Sequence, residues 1–270
     1  SLTQYLVIMG SGVVGALAYT WSDTFWFSAV EAEVYAFSSF CTALVFWLIL
    51  KWENRADEPN SDRYLILIAY VIGVSVAVHL LNLLCIPAIV LVFYYKKFKN
   101  TTVKGSLAAL SVAGAIIVFI LWGLVPGFVK VAQWFELFFV NTLHMPYNTG
   151  VVIYTLLDFA VFAWALYELY NQQNATRIKV SVTLAVFISG MCFIGNGWIA
   201  PLVLLGGLVL YLFKFCRRIP VRILTLLTLS ILVIFIGYSS YALILIRSGA
   251  KTGINQNAPD NVFSLSSYLS

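Results

Sequence analysis

The chain has 270 residues, 61% hydrophobic and only 10% charged, with a mean hydropathy of +0.93 and a formal net charge of +5. Soluble domains are about 45–50% apolar and about 25% charged, so this composition excludes a soluble globular fold and marks an all-α, polytopic membrane protein. The basic surplus does not point to nucleic acid here, because lysines and arginines collect in the cytoplasmic loops of membrane proteins.

A spanning helix takes about 20 apolar residues. The apolar runs predict spans over residues 4–20, 34–50, 105–124, 149–170, 180–194, 200–213 and 223–246. Between the first two lies Trp21–Glu33, which carries Asp23, Glu31 and Glu33 among aromatic residues and holds no lysine or arginine. Carboxylates at a membrane surface are costly unless water, a charge or a ligand meets them. This stretch therefore reads as a non-cytoplasmic loop on the rim of an active site.

Tyr64–Tyr95 is too long for one ordinary pass and short for two. Reading it as a broken hairpin that turns at His79–Asn82 places loops 51–63, 96–104, 171–179 and 214–222 inside. These loops hold Lys51, Arg55, Arg63, Lys96, Lys97, Lys99, Lys104, Arg177, Lys179, Lys214, Arg217, Arg218 and Arg222. Only Lys130, Arg247 and Lys251 then remain outside, so charge favours about nine passes including the short broken hairpin. Residues 127–148, bounded by Pro126 and Pro146, carry apolar and aromatic residues at three- and four-residue steps, which suggests a helix lying along the outer interface. Residues 1–246 thus form a transmembrane domain, expected to be part of a longer chain because Ser1 reads as a cut end, and residues 247–270 begin a non-cytoplasmic tail. Cys41, Cys85, Cys192 and Cys216 lie in or beside apolar runs without metal-ligand spacing and read as small buried hydrophobes.

This topology gathers Asp23, Glu31, Glu33, His79, Asn82, Glu136, His144, Asn148 and Arg247 on the outer face. Each has a plainer role open to it. Asp23 caps a short helix, His79 and Asn82 satisfy backbone groups freed at the hairpin break, His144 is a surface histidine, and Arg247 snorkels. Glu31 and Glu33, about 200° apart on a helix, cannot share a face. The functional reading assigns Asp23, Glu31 and Glu33 to acid–base work and His79, Asn82, His144, Asn148 and Arg247 to the substrate, with Arg247 suited to a phosphate. Asp158, deep in its span, needs a partner or a cavity. Nucleophile-elbow, HExxH, P-loop and dinucleotide motifs are absent in usable context.

The runs VGALAYTWSDTFWFSAVEAEVYAFSS, GVSVAVHLLNLLCIPAIVLVFYYKK, MPYNTG and IRSGAKTGINQNAPDNVFSLSSYL resemble the membrane portion of a bacterial family once known only as a domain of unknown function. That family is related to transmembrane protein 260, a protein O-mannosyltransferase. The resemblance implies a GT-C-like glycosyltransferase of the bacterial inner membrane, with its site facing the periplasm. It would take sugar from a polyprenyl-phosphate donor to a protein or glycan acceptor, with membrane lipid around it. No cofactor is certain; the resemblance leaves room for a divalent cation near Glu31 and Glu33. The family's acidic first-loop motif, of WDxGE-like form, has no counterpart here and is expected upstream of Ser1. A transporter or flippase using Asp158 and the broken hairpin, and a scaffold without chemistry, are the competing readings.

Overall fold

The computed structural model describes residues 1–31, 34–195, 197–215, 220–250, 253, 255 and 257–269. The described residues form helices joined by short turns. They are α1 Leu2–Thr20, α2 Asp23–Val30, α3 Tyr35–Arg55, α4 Asp62–Val76, α5 Ile86–Lys97 (preceded by a 3₁₀ turn Leu80–Cys85), α6 Val103–Val118, α7 Val125–Leu137, α8 Thr149–Asn171, α9 Ala175–Ile188, α10 Ile199–Leu210, α11 Val221–Tyr238, α12 Tyr241–Gly249 and α13 Val262–Leu269. Six helical runs among the described residues are long and apolar enough to cross a membrane. The remaining expected passes fall on the shorter helices α4, α9 and α10. The outer surface is studded with exposed Leu, Phe and Trp, as lipid contact requires.

Tyr64–Tyr95 folds as the hairpin its charges favour. His79 sits at the turn with extended backbone, and α5 returns beside α3, where Lys97 Nζ donates to Ala56 O at 2.7 Å. α4 and α11 run parallel at the heart of the bundle. Arg222 donates to both carboxylate oxygens of Asp62, at 2.7 and 2.9 Å, at one end, and Tyr241 OH reaches Val76 O at 3.5 Å at the other. Lipid offers no hydrophobic drive to association, so close backbone approach between small residues has to supply it. Gly73 and Gly237 provide that approach: a Cβ on Gly73 would lie 2.5 Å from Ile234 O, and one on Gly237 would lie 2.6 Å from Val74 N. The Asp62 carboxylate is half-buried while Arg222 is exposed. Asp62→Asn is therefore expected to cost only about 0.5–1 kcal/mol, read as a small downward shift of the thermal unfolding midpoint in micelles.

Two expectations change and a third is refined. Residues 127–148 are not a separate interfacial helix; one helical run extends over Val103–Thr142. Pro126 does not end it, because a π turn at Phe119–Leu124 just upstream loosens the ladder that a proline would otherwise break. A second π turn, Phe138–Thr142, closes the run. The span expected over 223–246 lies within the run Val221–Gly249, long and apolar enough to cross a membrane, with a two-residue turn at Ser239–Ser240 between α11 and α12. The span expected over 180–194 stops at Ile188. Cys41, Cys85 and Cys192 are buried free thiols; Cys216 lies outside the described residues.

Candidate functional site

At the end of the bundle where α4 finishes and α8 begins, α7, α8, α11, α12 and α13 enclose a cavity of about 450 Å³. Its walls are apolar, with Phe128, Phe159, Phe235 and Leu245 among them. Phe128 packs between Tyr154 and Phe235, with ring centroids 4.9 and 5.2 Å away. Polar groups gather on the lining at Asn148, Ser239, Asp260 and Asn261. Apolar walls with a few polar groups suit an amphiphilic ligand.

The polar lining is held by local chemistry. Glu136, 2% exposed, accepts from Asn148 N at 2.6 Å through Oε1 and from Val151 N at 3.1 Å through Oε2. It thereby caps α8 from a neighbouring helix, where a carboxylate also meets the favourable end of the helix dipole. Asn148 takes a left-handed backbone, φ +70°, which asparagine tolerates better than most residues. On the far side Asn261 Oδ1 accepts from Phe263 N and Ser264 N at 2.9 and 3.0 Å, starting α13. Gln133 Nε2 ties α7 to Val262 O at 3.4 Å.

The residues singled out from the sequence divide into three groups. Asn148 lines the cavity; His144, on the same α7–α8 connection, is exposed at φ +53°. His79 and Asn82 form a second cluster next door, at the α4–α5 turn, which Tyr241 joins to the cavity wall through Val76. His79 Nδ1 accepts from Leu81 N at 3.1 Å, and its ring lies 5.4 Å from that of Tyr35. Asn82 is buried, with Oδ1 taking Thr42 Oγ1 and Cys85 Sγ, each at 3.3 Å. Among the described residues its Nδ2 has no partner, as is true of Ser38 Oγ. The third group is peripheral. Asp23 and Glu31 are exposed on and just after α2, and Arg247 is exposed on α12. Asp23 is the first residue of α2, with Ser22 in the capping position. Glu31 follows the helix in extended backbone, so it is not on a helical face at all. Glu33 lies outside the described residues.

Tyr238, Tyr241, Asp260 and Asn261 were not reached from the sequence. The doublet of tyrosines around Ser239–Ser240 and the single acid of the tail were the available signals. Among the described residues no three His, Cys, Asp or Glu side chains assemble for a metal.

Fold and cavity define the class as a multi-pass α-helical membrane protein with an amphiphilic pocket at one end. Residues 1–102 match the family described as the protein O-mannosyl-transferase TMEM260 N-terminal domain, which relates the first five helices to that protein. The matched stretch holds Asp23, Glu31, Glu33, His79 and Asn82; every residue lining the cavity lies beyond it. Neither the curated proteins nor the solved structures contain a match.

Proposed function

We propose that the chain is the membrane part of a GT-C-type glycosyltransferase with nine passes. It transfers sugar from a polyprenyl-phosphate donor to a protein hydroxyl on the non-cytoplasmic face. The observation that carries this is the family match over residues 1–102. The cavity supports it: an isoprenoid chain suits the Phe128, Phe159 and Phe235 walls, and a polar head suits the Asn148, Asp260 and Asn261 lining. In the reaction a carboxylate takes the acceptor hydroxyl proton, the oxygen attacks the anomeric carbon, and the lipid phosphate leaves with the bonding pair. Asp260 is the carboxylate on the cavity lining; Glu31 and Glu33 serve the acceptor side, with His79 and Asn82 holding the sugar. Arg247, one residue past the lining Ile246, meets the departing phosphate.

The test is transfer of labelled mannose from polyprenyl-phosphate mannose in membranes containing the full-length protein. Asp260→Asn is expected to lower kcat about 10²–10³-fold, as loss of a general base does. Unchanged transfer by Glu31→Gln with Glu33→Gln would remove that pair from the mechanism. One observation favours a second reading. Asp158, wholly buried in α8, has no hydrogen-bond partner on either oxygen among the described residues, as a transport site at mid-membrane would. Lipid flipping in proteoliposomes without sugar transfer, lost in Asp158→Asn, would establish the transporter instead.

A further inference from the structure

The opposite end of the bundle carries a second site that sugar transfer does not use. Arg55, the last residue of α3, and Arg63, in the first turn of α4, converge on one neutral oxygen. Arg55 Nη1 and Arg63 Nη2 each donate to Tyr64 OH at 3.3 Å. The Arg63 guanidinium also lies over the Tyr64 ring, 5.1 Å from its centre. Two guanidinium groups brought to one uncharged acceptor repel each other and leave most of their donors unused. The acids of the same loop do not relieve them: Asp62 is held by Arg222, and Asp57 lies against Lys96 and Lys97. Among the described residues neither Arg55 nor Arg63 forms an ion pair, although Glu53 and Glu58 stand nearby in the chain.

The surroundings specify what would neutralise them. Trp47, Lys51 and Arg55 follow one another at four-residue steps along a single face of α3, and Lys51 Nζ sits over the Trp47 ring at 5.3 Å. Trp47 and Leu50 on α3 and Leu67 on α4 are exposed apolar groups running away from the two arginines. An interfacial tryptophan with cations beyond it is the pattern that sets aromatic rings at headgroup depth and guanidiniums at phosphate depth. We infer that Arg55, Arg63 and Lys51 bind the phosphate of an anionic phospholipid, whose chains lie along Trp47 and Leu67. The forked donors of the two arginines match the phosphate oxygens, and Tyr64 OH occupies the place where one such oxygen arrives.

The test is lipid titration of the purified full chain in neutral phosphatidylcholine micelles, following the thermal unfolding midpoint. Phosphatidylglycerol is expected to raise the midpoint saturably, while added phosphatidylcholine and inorganic phosphate do not. Arg55→Gln with Arg63→Gln is expected to weaken the apparent affinity roughly 20- to 30-fold, about fivefold for each cation removed near the surface. Lys99→Gln with Lys104→Gln, which removes equal charge from the next loop, is expected to leave it within about twofold, since neither residue belongs to the fork. If the glutamine pair does not fold, Arg55→Lys with Arg63→Lys keeps the charge, loses the fork and is expected to bind about fivefold more weakly. Equal weakening by the two glutamine pairs, or an unweakened lysine pair, would overturn the site in favour of diffuse attraction. A midpoint raised equally by inorganic phosphate would overturn the lipid as its occupant. None of these outcomes bears on sugar transfer at the other end.

Discussion

Gly73→Leu is expected to remove the folded protein from the membrane extract altogether. Only backbone lies opposite Gly73: a Cβ would meet Ile234 O at 2.5 Å and Ile234 Cα at 2.8 Å. Backbone in a helix cannot swing aside as the tip of a long side chain can, so α4 and α11 would have to separate. Overpacked cores lose about 1–3 kcal/mol when neighbours can adjust; here the loss is expected at or above the top of that range. Separation would also pull apart the Asp62–Arg222 and Tyr241–Val76 contacts at the two ends of the pair. Gly114→Leu is the control, because a Cβ at that position on α6 would meet nothing within 4 Å. Size exclusion and thermal unfolding in micelles should show the first variant aggregated and the second unchanged.

Glu136→Gln is expected to cost the fold about 2–3 kcal/mol of stability. The carboxylate is buried and accepts two backbone N–H groups at the start of α8. An amide can accept one of them, but its NH₂ then faces the other donor, leaving an N–H without a partner in a dry site. A buried donor orphaned from a charged acceptor costs about 2–3 kcal/mol. Glu136→Ala should cost more, since both N–H groups are stranded. Gly150 lets the two helices meet closely enough for this cap: a Cβ there would lie 2.5 Å from Glu136 Cα. Because Asn148 stands on the cavity lining, the variant should also loosen the polar mouth. Denaturant titration reads the stability loss, and faster amide exchange at Asn148 and Val151 relative to the rest of α8 would place it.

The helical architecture and its charged end were legible because composition and lysine placement act over whole segments. The hairpin at His79–Asn82 was legible for the same reason: a single pass would have separated two basic loops that the structure joins through Lys97, Ala56 and Asp57. Local chemistry defeated the rest. Pro126 looked like a stop, yet a π turn absorbs it. Ser239 and Ser240 looked compatible with an unbroken helix, yet the chain turns there between α11 and α12. The cavity was hidden because its walls are phenylalanines and leucines, the same residue types that face lipid, drawn from segments as distant as Phe128 and Leu265. Glu136 was picked out as an outer-face acid, but nothing in its spacing tells that its partners are backbone N–H groups twelve and fifteen residues on. Asp23 and Glu31 drew notice by their charge, and the structure sets both in the open beside α2.

The π turn at Phe119–Leu124 has one more effect, on phase. A π turn takes one residue more than an α turn, so every side chain downstream is rotated by roughly 100° about the axis. Glu136 faces α8, and Val129 and Ala132 face the cavity, only because that offset precedes them. Deleting any one residue of Phe119–Leu124 would reset that phase while keeping the composition, the hydropathy and nearly the length of the run. It would turn the Glu136 carboxylate away from Asn148 N and Val151 N and leave α8 without its anchor. The inserted residue acts as a clocking pin, and its removal should silence the protein without touching a single group that meets substrate.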